Sequence, residues 1–114
     1  MTTVGIGAVS GVTAEEVLAA VDAVLPPGTD VRLATLDARA AESGIVAAAA
    51  RRGWPLTGHP AERLAQVQVP SPSARVATAV GTPSVAEAAA LLAGGSLLVG
   101  KTVHGRVTVA VADD

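Results

Sequence analysis

The chain contains no cysteine, phenylalanine or tyrosine, and a single tryptophan, Trp54. Without cysteine there can be no disulfide and no thiolate metal site. With one aromatic ring there is no platform on which successive nucleic-acid bases could stack. A basic surplus is missing too: the formal net charge is −2, which supplies no attractive field for a polyanion. Long apolar runs are absent, since every hydrophobic stretch is broken by Gly or charge well short of the ~20 residues that span a bilayer. The opening MTTVGIGAVSG carries no basic region ahead of an apolar run, so no signal peptide is expected there. Neither nucleic acid nor membrane is an expected partner, and a cytoplasmic location is the expectation.

What remains is abundant Ala and Val. Half of the 114 residues are hydrophobic, enough for one core and too few residues for two, so a single domain over 1–114 is expected. Small side chains favour close approach of backbones, as when helices lie tightly on a sheet. Thr2–Ile6 reads as a buried strand, followed by a glycine turn, Gly5-Ile6-Gly7 to Gly11. Thr13 with Glu16 three residues later forms a capping box that opens a helix to about Val24, stopped by Pro26-Pro27-Gly28. Val31–Leu36 is a second strand ending at Asp37. Glu42–Arg52 is a helix with cations in its last turn and Gly53 beyond it. A brief strand is expected at Trp54–Thr57, short helices at Pro60–Val67 and Ser73–Val80, and a helix opened by Thr82-Pro83-Ser84 and running to Ala93. Strands at Leu97–Val99 and Val107–Val111 follow, joined through His104-Gly105. Such alternation predicts an α/β fold: a three-layer α/β/α sandwich on a mostly parallel, mixed sheet of about five strands ending in an antiparallel pair.

Two motifs imitate nucleotide sites. Gly95-Ser96-Leu97-Leu98-Val99-Gly100-Lys101-Thr102 fits the phosphate-loop pattern letter for letter. A helix precedes it, its variable positions are strand formers, and a strand follows, so no helix start faces an anion there. Lys101 survives as a cation placed where a strand leaves the sheet. Gly5, Gly7 and Gly11, with Asp37 after the second strand, imitate a dinucleotide site. Their spacing is one residue too long and the helix cap comes after the glycines. A small dinucleotide-binding domain stays open as an alternative. His59 and His104 stand apart with no acid or His at ligand spacing, so both read as structural and no metal site is expected. Ser84 is either a helix cap or a ligand contact.

Three loops, Gly5–Gly11, Thr35–Glu42 and Gly81–Ser84, fall at strand ends or helix starts. Loops leaving the carboxyl ends of parallel strands collect at one sheet edge, where ligands of α/β proteins bind. Free amides at helix starts suit carboxylates or phosphates, so a small anionic ligand is expected.

Val80-Gly81-Thr82-Pro83-Ser84-Val85-Ala86-Glu87-Ala88-Ala89-Ala90-Leu91 resembles the CobE/CbiG C-terminal domain family of corrin-ring (cobalamin) biosynthesis. Gly5-Ile6-Gly7, Gly11 to Val17, Ala34-Thr35-Leu36-Asp37, Lys101 and Val107 to Ala112 match the family in the same order. Arg39 replaces the family's usual lysine and Thr13 its helix-opening serine. The resemblance implies a small anionic tetrapyrrole, a precorrin or cobalt-precorrin, as ligand, and other cobalamin-pathway enzymes as partners. CbiG, which carries an additional N-terminal region, hydrolyses the lactone of cobalt-precorrin-5A and releases acetaldehyde. A hydrolase or its accessory domain and a non-catalytic corrinoid carrier are therefore both implied, with no cofactor. On this reading Gly5, Gly7, Thr35, Arg39, Gly81, Thr82, Ser84 and Lys101 bind substrate, and Asp37 or Glu87 activates water. Symmetric self-association as a homodimer is the oligomeric expectation, with no stretch marking an interface.

Overall fold

The computed structural model describes residues 2–8, 11–26, 28–67, 85–92 and 95–113. Strand β1 is Thr2–Ala8 and helix α1 Ala14–Val24. β2 is Val31–Leu36, with the four-residue helix α2, Asp37–Ala40, directly after it. α3 is Ser43–Arg52, β3 Leu56–His59 and α4 Ala61–Ala65. α5 is Val85–Leu92, and β4, Ser96–His104, returns through a tight turn to β5, Val107–Asp113. The helix expected at Ser73–Val80 and the Gly81–Ser84 loop lie outside the described residues.

The sheet order is β3-β2-β1-β5-β4. β1 pairs parallel with β2 and β2 with β3, while β5 runs antiparallel to both β1 and β4. Four strands therefore share one direction and β5 alone opposes it, the mixed sheet the alternation predicted.

Period-two alternation divides the side chains between two faces. Val4, Ile6, Leu33, Val107, Val109 and Val111 meet Val17 and Val21 of α1 and Ile45 of α3. Each fully buried branched side chain is worth about 1.5–3 kcal/mol. On the other face Ala34, Ala110 and Ala112 lie under Ala86, Ala88, Ala89 and Ala90 of α5, with Leu64 of α4 beside them. This is the three-layer sandwich.

Local signals account for the element ends. Thr13 and Glu16 form the reciprocal capping box at the start of α1. Gly53 adopts the left-handed conformation that ends α3, with φ 69°. In the same cap the Trp54 N–H donates to the Ala49 carbonyl at 2.9 Å. Trp54 is thereby committed to ending the helix, and β3 starts at Leu56 rather than at Trp54. The nucleotide lookalike Gly95–Thr102 is likewise not a loop, since nearly all of it belongs to β4. That strand runs past Val99 by means of two irregularities. Leu98 is extra between the Leu97–Ala112 and Val99–Val111 pairs, and Gly100 with Lys101 together oppose Ala110. No described helix is long and apolar enough to cross a membrane.

Candidate functional site

Because β1, β2 and β3 point the same way, their carboxyl ends meet at one edge, where α1, α2 and α4 begin. α5 begins there as well. A Cβ placed on Gly7, near the end of β1, would lie 3.9 Å from the Ala86 nitrogen, whereas one on Gly5 would lie 1.8 Å from the Ala86 oxygen. The helix thus starts over the end of β1 and runs back along it in near-backbone contact. Gly5 is filled by that contact, and Gly7 stands at its margin. The unpaired amides of several helix starts give this edge a partial positive character.

Long-range side chains tie down the turn after β1. Arg39 Nε donates to the Ala8 carbonyl at 3.1 Å, and the Gly11 N–H donates to Glu42 Oε1 at 2.9 Å. Arg106 Nη2 donates to the Gly11 carbonyl at 3.2 Å, and the same guanidinium grips Glu16 through Nε and Nη2. That grip, followed by the Thr13 backbone N–H, pulls the Glu16 carboxyl down to about 2. Thr35 is buried, its hydroxyl donating to the Ile6 carbonyl at 2.7 Å.

The two acids singled out in the sequence stand in contrasting places. Asp37 is exposed at the first position of α2, and a Cβ on Gly58 would come within 2.6 Å of its Oδ1. Asp37 therefore leans on the backbone of β3. Glu87 has no exposure at all, and its Oε2 accepts the Lys101 N–H at 2.9 Å. Lys101 does not stand where a strand leaves the sheet: β4 continues to His104, and Lys101 sits at the Ala110 irregularity with its side chain exposed. Three strand spacings separate β2 from β4, roughly 14 Å at ~4.8 Å each. Thr35 and Arg39 are brought to the β1–β2 end of the edge, while Lys101 remains on the outer strand. Gly81, Thr82 and Ser84 lie outside the described residues, immediately before α5 in sequence.

One residue set aside in the sequence enters the site. His59 ends β3 in register with Leu36 and takes the Leu36 face of the sheet, while Asp37 lies against the Gly58 face. Burial pushes its imidazole below the ordinary histidine value, Arg63 pushes the same way and Asp37 opposes them. Only its position at the end of a third parallel strand could have marked it. Among the described residues no group of three or more His, Asp or Glu is placed to hold a metal ion.

Residues 2–112 match the family described as cobalamin synthesis G C-terminus. Among solved structures, CobE, a protein from the cobalamin (vitamin B12) biosynthetic pathway, shares 31% identity. That match covers 98% of this chain and 92% of CobE, with a TM-score of 0.86. Cobalamin biosynthesis protein chiG from Agrobacterium tumefaciens str. C58 shares 32% identity, covering 98% of this chain and 97% of its own, with a TM-score of 0.69. No curated protein matches the chain.

Proposed function

The chain belongs to the cobalamin synthesis G C-terminal family and is a cobalamin-biosynthesis protein of the CobE/CbiG type; from that premise we propose that it binds an anionic corrin precursor at the carboxyl edge of its sheet. The observation that carries this reading is Arg39. One nitrogen holds the Ala8 carbonyl, and among the described residues no partner engages the others. A guanidinium in that state can take a carboxylate through charge-assisted bonds, beside helix starts that favour the same charge. Corrin precursors are flat apolar macrocycles rimmed with acetate and propionate groups, so cations standing well apart can each meet the rim. In this reading Arg39 holds one carboxylate and Gly81, Thr82 and Ser84 another. Lys101 reaches a third from the outer strand, Gly7 leaves room at the end of β1, and buried Gly5 and Thr35 support the edge from beneath by seating α5 and tying β2 to β1. A cytoplasmic setting belongs to the same reading.

Titration of the protein with cobyrinic acid, followed by corrin absorbance and equilibrium dialysis, tests it. Saturable binding should weaken on Arg39→Ala by about tenfold or more, the scale of a lost hydrogen bond to a charged group. It should also weaken when the corrin carboxylates are esterified. Absence of binding, or equal affinity for the ester, overturns the reading.

Exposed Asp37 at the same edge favours a second reading, in which the domain contributes to opening the lactone of cobalt-precorrin-5A. Asp37 and Glu87 are its acidic candidates, and the zero exposure of Glu87 leaves Asp37 the better placed. Incubation with cobalt-precorrin-5A and measurement of acetaldehyde separates a hydrolase from a corrinoid carrier, which would bind without turnover.

A further inference from the structure

We infer that Glu87 is a positioning residue: from inside the molecule its carboxyl fixes the β4 bulge that presents Lys101 to an anionic ligand. Its role rests on the corrin-binding reading, in which Lys101 is the cation of the outer strand.

An edge strand is a poor platform for a binding charge. Among the described residues β4 is bonded on one side only, to β5, and two irregularities interrupt that pairing. Between the Val99–Val111 and Thr102–Val109 pairs, Gly100 and Lys101 together oppose Ala110. Both are exposed, so the alternation that holds from Ser96 to Val99 breaks there. A bulge leaves backbone groups outside the regular ladder and re-aims the side chain it carries. Without a further anchor such a segment can slip or fray.

Two contacts anchor this one. Glu87 Oε2 accepts the Lys101 N–H at 2.9 Å, and the Thr102 hydroxyl donates to the Gly100 carbonyl at 2.9 Å. Gly100 gives the carboxyl its room, since a Cβ there would lie 3.4 Å from Oε2. Glu87 has no exposure and stands in the first turn of α5, the helix seated on β1 at Gly5. Its neighbours on the buried face of that helix are Ala86, Ala88, Ala89 and Ala90. Burying a carboxyl among them costs free energy that a fifth alanine would not, unless its hydrogen bonds answer a local need. The Lys101 amide is that need. Position passes from β1 through α5 and the Glu87 carboxyl to the backbone of Lys101. The Gly-Lys-Thr that imitates a phosphate loop is thus a bulge: glycine admits the carboxyl, lysine turns its N–H inward, and threonine closes on the glycine carbonyl.

The test measures cobyrinic acid affinity by equilibrium dialysis for wild type, Lys101→Ala, Glu87→Ala, Glu87→Asp and Glu87→Gln. Glu87→Ala is also combined with Lys101→Ala and, separately, with Arg39→Ala. Hydrogen exchange at the Lys101 amide is followed in the wild type and the single Glu87 variants. Lys101→Ala should weaken binding about tenfold, the scale of a lost hydrogen bond to a charged group. Glu87→Ala and Glu87→Asp withdraw the acceptor, so each should lose about fivefold or more in affinity and speed exchange at Lys101. Glu87→Gln keeps an oxygen at the same reach and should stay within about twofold of wild type.

The double variants separate positioning from general loosening of the fold. Glu87→Ala should add no loss to Lys101→Ala, and its loss should multiply in full with that of Arg39→Ala. Where Glu87→Ala does not fold, Glu87→Asp takes its place. Losses that multiply equally on both backgrounds overturn the assignment. So does wild-type affinity in Lys101→Ala or in the folded Glu87→Ala and Glu87→Asp proteins. Those outcomes leave the corrin-binding reading standing on Arg39, whereas a wild-type protein that binds no cobyrinic acid overturns both.

Discussion

The two faces of the sheet are made of different material. Toward α1 and α3 it presents Val4, Ile6, Leu33, Val109 and Val111, and the helices answer with Val17, Val21 and Ile45. Toward α5 it presents Gly5, Ala34, Ala110 and Ala112 against a helix whose buried apolar side chains are all alanine. Branched side chains bury more area and can shift rotamers to absorb small displacements. Gly and Ala cannot absorb any, because backbone sits nearly on backbone. The first face supplies bulk hydrophobic stability, and the second fixes the position of the one helix that starts over the end of β1. Surface charge follows the same division. Arg51–Glu15 and the Arg52–Asp22 pair join α3 to α1, and Arg52 also lies 5.3 Å from the Trp54 ring centroid.

The comparison is broken most directly at Gly5. Gly5→Val would place its Cβ inside the Ala86 carbonyl, and only moving α5 relieves the clash. A loss above about 4 kcal/mol, or no folded protein, is expected in urea denaturation. On the other face Leu33→Ala leaves a cavity and should cost about 2–4 kcal/mol with the fold intact. If Leu33→Ala proves the more damaging, the α5 face is not the exacting one. Smaller again is Glu87→Ala, which strands the Lys101 N–H and should cost about 1–3 kcal/mol. Glu87→Gln keeps an oxygen acceptor and should cost less, so the difference between the two reads the hydrogen bond in thermal melts.

The mildest probe is pH, which separates the faces by range. His59 is held below 6.5 when folded, so the folded protein binds fewer protons than the unfolded chain. Its contribution is complete above 6.5 and declines as pH falls toward the folded value. Glu16, lowered from 4.5 to about 2, contributes fully above 4.5 and loses that contribution as pH drops toward 2. Denaturant midpoints measured against pH should show both declines. His59→Gln should remove the upper one and Glu16→Gln the lower.

Signals contained within a few residues were legible in advance. The Thr13–Glu16 box, the Val31–Leu36 strand and the Gly53 cap all appear where local chemistry requires them. α2 escaped because four residues hold barely one turn, too few for periodicity to register. The sequence pattern ends β4 at Val99 because Gly100 and Lys101 look like an interruption, and only the pairing with β5 turns them into a bulge. The site follows the same rule. Thr35 and Arg39 could be assigned to the sheet edge from their place after a strand. The placement of His59 beside Leu36, however, depends on a β2–β3 register between residues 23 apart in sequence, a quantity no local pattern contains.

The placement of β5 has a consequence for how the chain comes together. Thr2 pairs with Asp113 and Ala8 with Val107, so β1 waits for a strand nearly a hundred residues further along the chain. Among the described residues β4 has no sheet neighbour other than β5, and β1 is bordered on one side only until β5 arrives. During translation β1 and β2 can pair early, but the sheet closes only when β5 emerges. Contacts of such long sequence separation make for slow folding and leave a central strand edge open meanwhile. Removal of β5 would therefore not trim an edge: it would part β4 from the other described strands.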